Sequence, residues 1–191
     1  MVLIVAITGA SGAVYGIRML ESLAKIKAVE THLIISKSGE EIIKHETDYG
    51  VDEVRALADF AYDIDDVGAS LASGSFRRDG MIVAPCTIKT MSALANSYAE
   101  NLIVRAGDVT LKERKPLVLV VREAPLHLGH LRSMVSLTEM GAIIFPPVPS
   151  FYDNPKAIDD IINNTVGRVL DLFNVEHNLA HRWSGLGGNH G

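Results

Sequence analysis

A single cysteine, Cys86, leaves the chain without a partner for an internal disulfide. Like charges never run five or six together, and the net charge of −5 comes from interspersed acids and bases, so there is no basic arm for nucleic acid or for a membrane surface. No apolar stretch approaches the roughly 18 residues that span a bilayer. A basic leader with an apolar centre and a small-residue cleavage site is also missing. These absences lead us to expect a cytoplasmic protein with neither a nucleic acid nor a membrane as partner. Aromatics are scarce at 6% while hydrophobic residues make up 48% of the 191 positions, a balance that suits a buried parallel sheet or subunit contacts within one domain.

What is present alternates. Apolar runs at Val2 to Ile7, Thr31 to Ser36, Met81 to Ala84 and Leu117 to Val121 are each followed by a helix-period segment: Ala13 to Lys27, Gly39 to Thr47, Ile88 to Asn96 and Leu126 to Met140. A fifth run, Ala142 to Pro146, precedes a long pattern from Pro155 to Val175, with Ile158, Ile161, Ile162, Thr165, Val169, Leu172 and Phe173 near one face. This βαβα order, with continuous rather than alternating apolar runs, predicts an α/β fold whose sheet is covered on both faces. Prolines 146, 147 and 149 make Phe145 to Pro155 a loop, and the glycine-rich residues 184–191 read as a flexible tail.

The first run ends in TGASGAVYG, residues 8 to 16. Gly9, Gly12 and Gly16 miss the G-x-G-x-x-G dinucleotide spacing, yet the turn offers backbone amides, a helix N-terminus and the Ser11 hydroxyl to an anion. A dinucleotide site also wants an acid at the end of the second strand, where this chain has Ser36-Lys37-Ser38. That favours a mononucleotide phosphate held by the opening turn. A second polar turn, PCTIKTMS from Pro85 to Ser92, crowds Thr87, Lys89, Thr90 and Ser92 at another helix start, and two such starts suggest more than one phosphate. Either turn is also compatible with plain helix capping.

TGASGAVYGIR, ISKS, HETD (His45 to Asp48), SGSF (Ser73 to Phe76), APCTIKTMS, the block from Asn101 to Leu131, FYDNP and the closing Arg182-Trp183 together resemble the flavin prenyltransferases of the UbiX type, in consistent order from about residue 3 to Trp183. The resemblance implies a flavodoxin-like or Rossmann-like three-layer sandwich with a mainly parallel sheet, residues 1–183 forming one flavin-binding domain. It implies a homododecamer that moves a dimethylallyl group from dimethylallyl monophosphate to N5 and C6 of reduced FMN, without metal. The product serves UbiD-type decarboxylases. Matching motifs assign Gly9, Ala10, Ser11, Ser36, Thr87, Ile88, Lys89, Thr90 and Arg122 to FMN. Lys112, Tyr152 and Arg168 fall to the prenyl phosphate, and Trp183 to the prenyl chain. Arg105, Glu123 and Glu46 fall near the reacting groups, Glu46 with a possible reach across a subunit interface because such sites lie between subunits.

The chemistry fits these types. An allylic phosphate leaving group gathers negative charge that Lys112, Arg168 and the Tyr152 hydroxyl can stabilise. Aromatic faces steady the allyl cation. Ring closure ends with loss of a flavin proton, for which Glu123 is the candidate base, with Ser11 or the released phosphate as relay. Asp65-Asp66 and Asp159-Asp160 do not complete D-D-x-x-D, and His127/His130 and His177/His181 lack a third metal ligand. Taken alone, Arg105, Lys112, Arg114 and Lys115 read equally as a solvated basic helix face, Glu123 as a helix cap and Arg168 as a side chain snorkelling from the last helix. Two other functions fit less well. An oxidative cysteine decarboxylase would want an Asn and a Trp that PCTIKTMS lacks, and a flavin carrier would have no use for Lys112, Glu123, Tyr152 and Arg168 together.

Overall fold

The structure, a computed structural model, describes residues 1–179 in two compact units, Met1–Pro147 and a second that begins at Val148. In the first, six parallel strands, β1 (Val2–Ile7), β2 (Glu30–Ile35), β3 (Phe60–Tyr62), β4 (Gly80–Cys86), β5 (Leu117–Val121) and β6 (Ile143–Ile144), lie in the order β3-β2-β1-β4-β5-β6. This is the doubly wound Rossmann order, and the sheet is wholly rather than mainly parallel. From the middle of the sheet the chain winds left through α1 (Ala13–Leu23), α2 (Lys37–Glu46) and α3 (Val51–Arg55), and right through α4 (Ile88–Ala95), α5 (Leu102–Lys112) and α6 (Leu128–Glu139). Right-handed crossovers in opposite directions put the two helix sets on opposite faces. The winding reverses between β1 and β4, which opens a crevice beyond their carboxyl ends.

Burial explains the continuous apolar runs. Leu3 to Ile7, every residue of β4 and every residue of β5 are buried. Each large aliphatic removed from water there contributes about 1.5–3 kcal/mol before entropy is counted. Gly16 lets α1 settle on this platform, since a Cβ at that position would stand 2.3 Å from the Ala84 carbonyl oxygen and 2.7 Å from Ile7 Cγ1. Thr8, itself buried, stitches the crevice: its hydroxyl donates to the Pro85 carbonyl at 2.7 Å and accepts from the Thr87 amide at 2.9 Å.

Several boundaries differ from the sequence reading. α1 stops at Leu23 rather than Lys27, and β4 runs on through Pro85 to Cys86. β3 and α3 form where no apolar run or period marks an element, and α5 carries Arg105 and Lys112 on one helix. The second unit contains α7 (Ile158–Asp171). Its buried face is formed by Ile162, Thr165, Val166, Val169 and Leu170, whereas Ile158, placed on that face by periodicity, is 77% exposed. Ile158 is the first residue of the helix, where Asp160 accepts from the Lys156 and Ala157 amides, so it belongs to the cap and not to the stripe.

Candidate functional site

Two helix starts converge on the crevice. Ser36 caps α2, its Oγ accepting from the Gly39 amide at 3.0 Å, and Thr87 caps α4, its Oγ1 accepting from the Thr90 amide at 3.1 Å. Between them lies a cavity of about 320 Å³ lined by Thr8, Ser36, Ser38, Thr87, Thr90 and Ile103, with Lys37, Asp65, Lys89 and Glu100 around it. Hydroxyls, two positive helix ends and an aliphatic wall suit a phosphate on a polyol stem. The starts of α2 and α4 thus share one cavity, whereas the sequence reading pairs the turn at residues 8–16 with the turn from Pro85 to Ser92.

The start of α1 is already satisfied. Glu46, at the end of α2, accepts from the Gly12 amide at 2.7 Å and the Ala13 amide at 3.3 Å of its own chain. Partial burial opposes its ionisation, but the Ser11 hydroxyl, these two amides and the charge of Arg122 outweigh it and hold the carboxyl below the usual carboxylate range. In this structure a carboxylate of the chain itself takes up the amides that open α1. A reach of Glu46 across an interface is not needed for this contact. Gly9 packs against Ser38, to whose Oγ a Cβ on Gly9 would come within 2.4 Å, which joins the turn to the cavity wall.

Arg122 and Glu123 follow β5 on an exposed loop. The Arg122 amide donates to the Cys86 carbonyl at 3.3 Å, tying this loop to the PCTIKTMS turn, and Glu123 accepts from the Ala124 amide at 3.0 Å. Glu123 is not a helix cap; His127 caps α6 through Nδ1, which accepts from the Gly129 amide at 3.0 Å. Ser11, Glu46 and Arg122, from three elements, thus meet at one lip of the crevice. Cys86 is buried beside it, and desolvation pushes its thiol up to about 12, leaving it inert as a nucleophile.

The remaining candidates belong to other segments of the chain. Arg105 projects from α5, its Nε donating to the Ala72 carbonyl at 3.1 Å and its Nη1 2.9 Å from Asp108. Lys112, at the last turn of α5, pairs with Glu113 and stands near Gly74, which precedes β4. It therefore lies at the amino edge of the sheet, a strand length of about 20 Å from the turn at residues 9–12. In the second unit Tyr152 is exposed on the loop before α7, and Arg168, exposed on α7, has Nη1 3.3 Å from Asp171. Trp183 and the tail at 184–191 lie outside the described residues. Among the described residues no three His, Cys, Asp or Glu side chains are grouped to hold a metal ion.

Sequence reasoning missed Asp65 and Glu100. Asp65 meets Lys37 at 2.6 Å and Glu100 meets Lys89 at 3.0 Å, both pairs lining the cavity. Asp65 lies 28 residues from its partner, and no local spacing signals such a contact.

The model of the Flavoprotein family matches residues 1–170. A flavin prenyltransferase UbiX from Thauera aromatica is 56% identical over 185 residues, covering 97% of this chain and 95% of that protein. The crystal structure of AnUbiX in complex with FMN and dimethylallyl pyrophosphate superposes with a TM-score of 0.95 at 51% identity, covering 96% of this chain and 97% of that one. A dodecameric FMN-dependent UbiX-like decarboxylase from Escherichia coli O157:H7 gives a TM-score of 0.95 at 49% identity, covering 97% and 100%.

Proposed function

The chain belongs to the Flavoprotein family, among its flavin prenyltransferases, and from that premise we propose that it moves a dimethylallyl group from dimethylallyl monophosphate to N5 and C6 of reduced FMN, without a metal ion. The observation that carries the reading is the hydroxyl-lined cavity at the strand-order reversal, adjoining the lip where Ser11, Glu46 and Arg122 meet. FMN enters here as the substrate that accepts the prenyl group. Its phosphate fits the cavity among Ser36, Ser38, Thr87 and Thr90 at the starts of α2 and α4, with Lys89 on the same wall. Its ring then lies toward Gly9, Ala10, Ser11 and Arg122.

Each remaining side chain has a task the chemistry requires. Lys112, Tyr152 and Arg168 take the charge that builds on the departing phosphate, and Trp183 shields the allyl fragment. Arg105 adds positive charge near that phosphate, and Glu123, on a loop free of helix-capping duty, accepts the proton lost on ring closure. Ser11, hydrogen-bonded to an ionised Glu46, is placed to relay it.

Because Lys112 stands at the amino edge of its own sheet, a second copy of the chain supplies it to the flavin of the first. Assembly is further supported by α6, whose Leu128, Leu131 and Val135 form an exposed apolar stripe at i, i+3 and i+7. A dodecamer, as in the similar Escherichia coli protein, is the assembly we assign, cytoplasmic and delivering prenylated FMN to a UbiD-type decarboxylase.

The test is anaerobic incubation of the purified protein with reduced FMN and dimethylallyl monophosphate in the presence of a chelator, followed by mass spectrometry of the flavin. A gain of one C5H8 unit is expected. Unchanged FMN overturns the reading of the donor, and a parallel incubation with the pyrophosphate, the ligand held by AnUbiX, shows whether the diphosphate is used instead.

A further inference from the structure

The cavity presents its cations already neutralised. Lys37 and Lys89 line it, but Asp65 lies 2.6 Å from the first ammonium and Glu100 3.0 Å from the second, and both carboxylates line the same cavity. The two ion pairs come from four separate segments: Lys37 opens α2, Asp65 follows β3, Lys89 opens α4 and Glu100 precedes α5. The four charged side chains on the wall therefore sum to zero, although the phosphate they would receive is an anion. Unopposed lysines would attract that anion more strongly. A site whose flavin is a substrate must also let the prenylated flavin go.

We infer that Asp65 and Glu100 are affinity-setting counter-ions: they compete with the FMN phosphate for Lys37 and Lys89 and thereby speed the exchange of product for fresh flavin. The inference rests on the reading that FMN occupies this cavity. When phosphate arrives, each lysine is shared between it and a carboxylate, so the anion gains only the difference between two attractions. When the flavin leaves, the carboxylates take back both ammonium groups and no unpaired charge remains in the crevice. Asp65 also acts on Lys37 directly, its hydrogen bond and charge raising that ammonium above the ordinary lysine range and keeping it cationic. Both pairs are open to water, so their leverage is modest and screened by salt.

Asp65→Asn and Glu100→Gln keep shape and remove charge. Titration of the intact protein with FMN, followed by quenching of flavin fluorescence at low salt, should show about two- to fivefold tighter binding for each variant, and roughly the product for the pair together. The gain should appear as slower dissociation of bound FMN, with a matching fall in multiple-turnover rate. Riboflavin, which lacks the phosphate, should bind wild type and variants alike. Unchanged or weaker FMN binding by the double variant overturns the inference, as does an equal tightening for riboflavin. Failure of the wild-type protein to bind FMN would instead overturn the reading beneath it.

Discussion

At the scale of single residues, Glu46 carries the most instructive contact, because one carboxylate serves two masters. It holds the first two amides of α1 and the Ser11 hydroxyl, and faces the charge of Arg122. Glu46→Gln should cost about 0.5–1 kcal/mol of stability, the lower range for a lost helix cap at a solvent-screened position. The pH dependence follows from the sign of the shift. A carboxyl held below its unfolded value stabilises fully above the ordinary glutamate pKa, about 4.3, and loses that contribution as the pH falls through the depressed folded value. Urea unfolding should therefore separate wild type from Glu46→Gln at neutral pH and bring them together in acid. A constant gap down to pH 3 would show that the cap acts without its charge.

At the scale of elements, the deciding contact is between α1 and the strands beneath it. A methyl group at Gly16 would press on the Ala84 carbonyl oxygen and on Ile7, both fixed in the sheet. Gly16→Ala should destabilise by about 1–3 kcal/mol, the usual penalty for overpacking, despite the better helix propensity of alanine. Because the displaced strand end carries Thr8, the same variant should weaken FMN binding, and a thermal melt with a flavin titration measures both. A variant that is more stable than wild type would mean that α1 can lift off at no cost.

The same elements show what a sequence can and cannot disclose. β1 and β5 were legible to the residue, since both are buried on two faces and their apolar runs end abruptly. β3 was not: it is three residues long, its first two are exposed, and it has no apolar run to announce it. α5 read as a basic surface because Arg105 and Lys112 stand out in the text, whereas Leu102, Ile103, Val104, Ala106 and Val109 bury its other side. Arg78 passed unnoticed beside Arg77, yet it is buried, with its guanidinium donating to the carbonyls of Leu71, Ser73 and Ala106. The residue types of the site were visible in the motifs, but their partners were not: Glu46 meets Gly12 across 34 residues and Lys37 meets Asp65 across 28.

At the scale of the whole molecule, one chain cannot reach both ends of its own sheet. Lys112 and the turn at Gly9 to Ser11 sit at opposite edges of one parallel sheet, separated by about 20 Å of strand, several times the length of a lysine side chain. On the proposed function, a flavin held at the turn of one copy draws Lys112 from another, each copy lending its lysine to a neighbour. Two inactive variants then test the assembly: Lys112→Ala, which spoils what a chain lends, and Arg122→Ala, which spoils what it keeps. Co-expressed with different tags and isolated as mixed oligomers, they should recover activity, because random assembly gives about a quarter of the sites both an intact flavin lip and an intact lysine. Oligomers of either variant alone should stay inactive. If the mixed oligomers were as inactive as their parents, Lys112 would have to act within its own chain, and the sharing of the site between copies would be wrong even if the prenyl transfer itself were right.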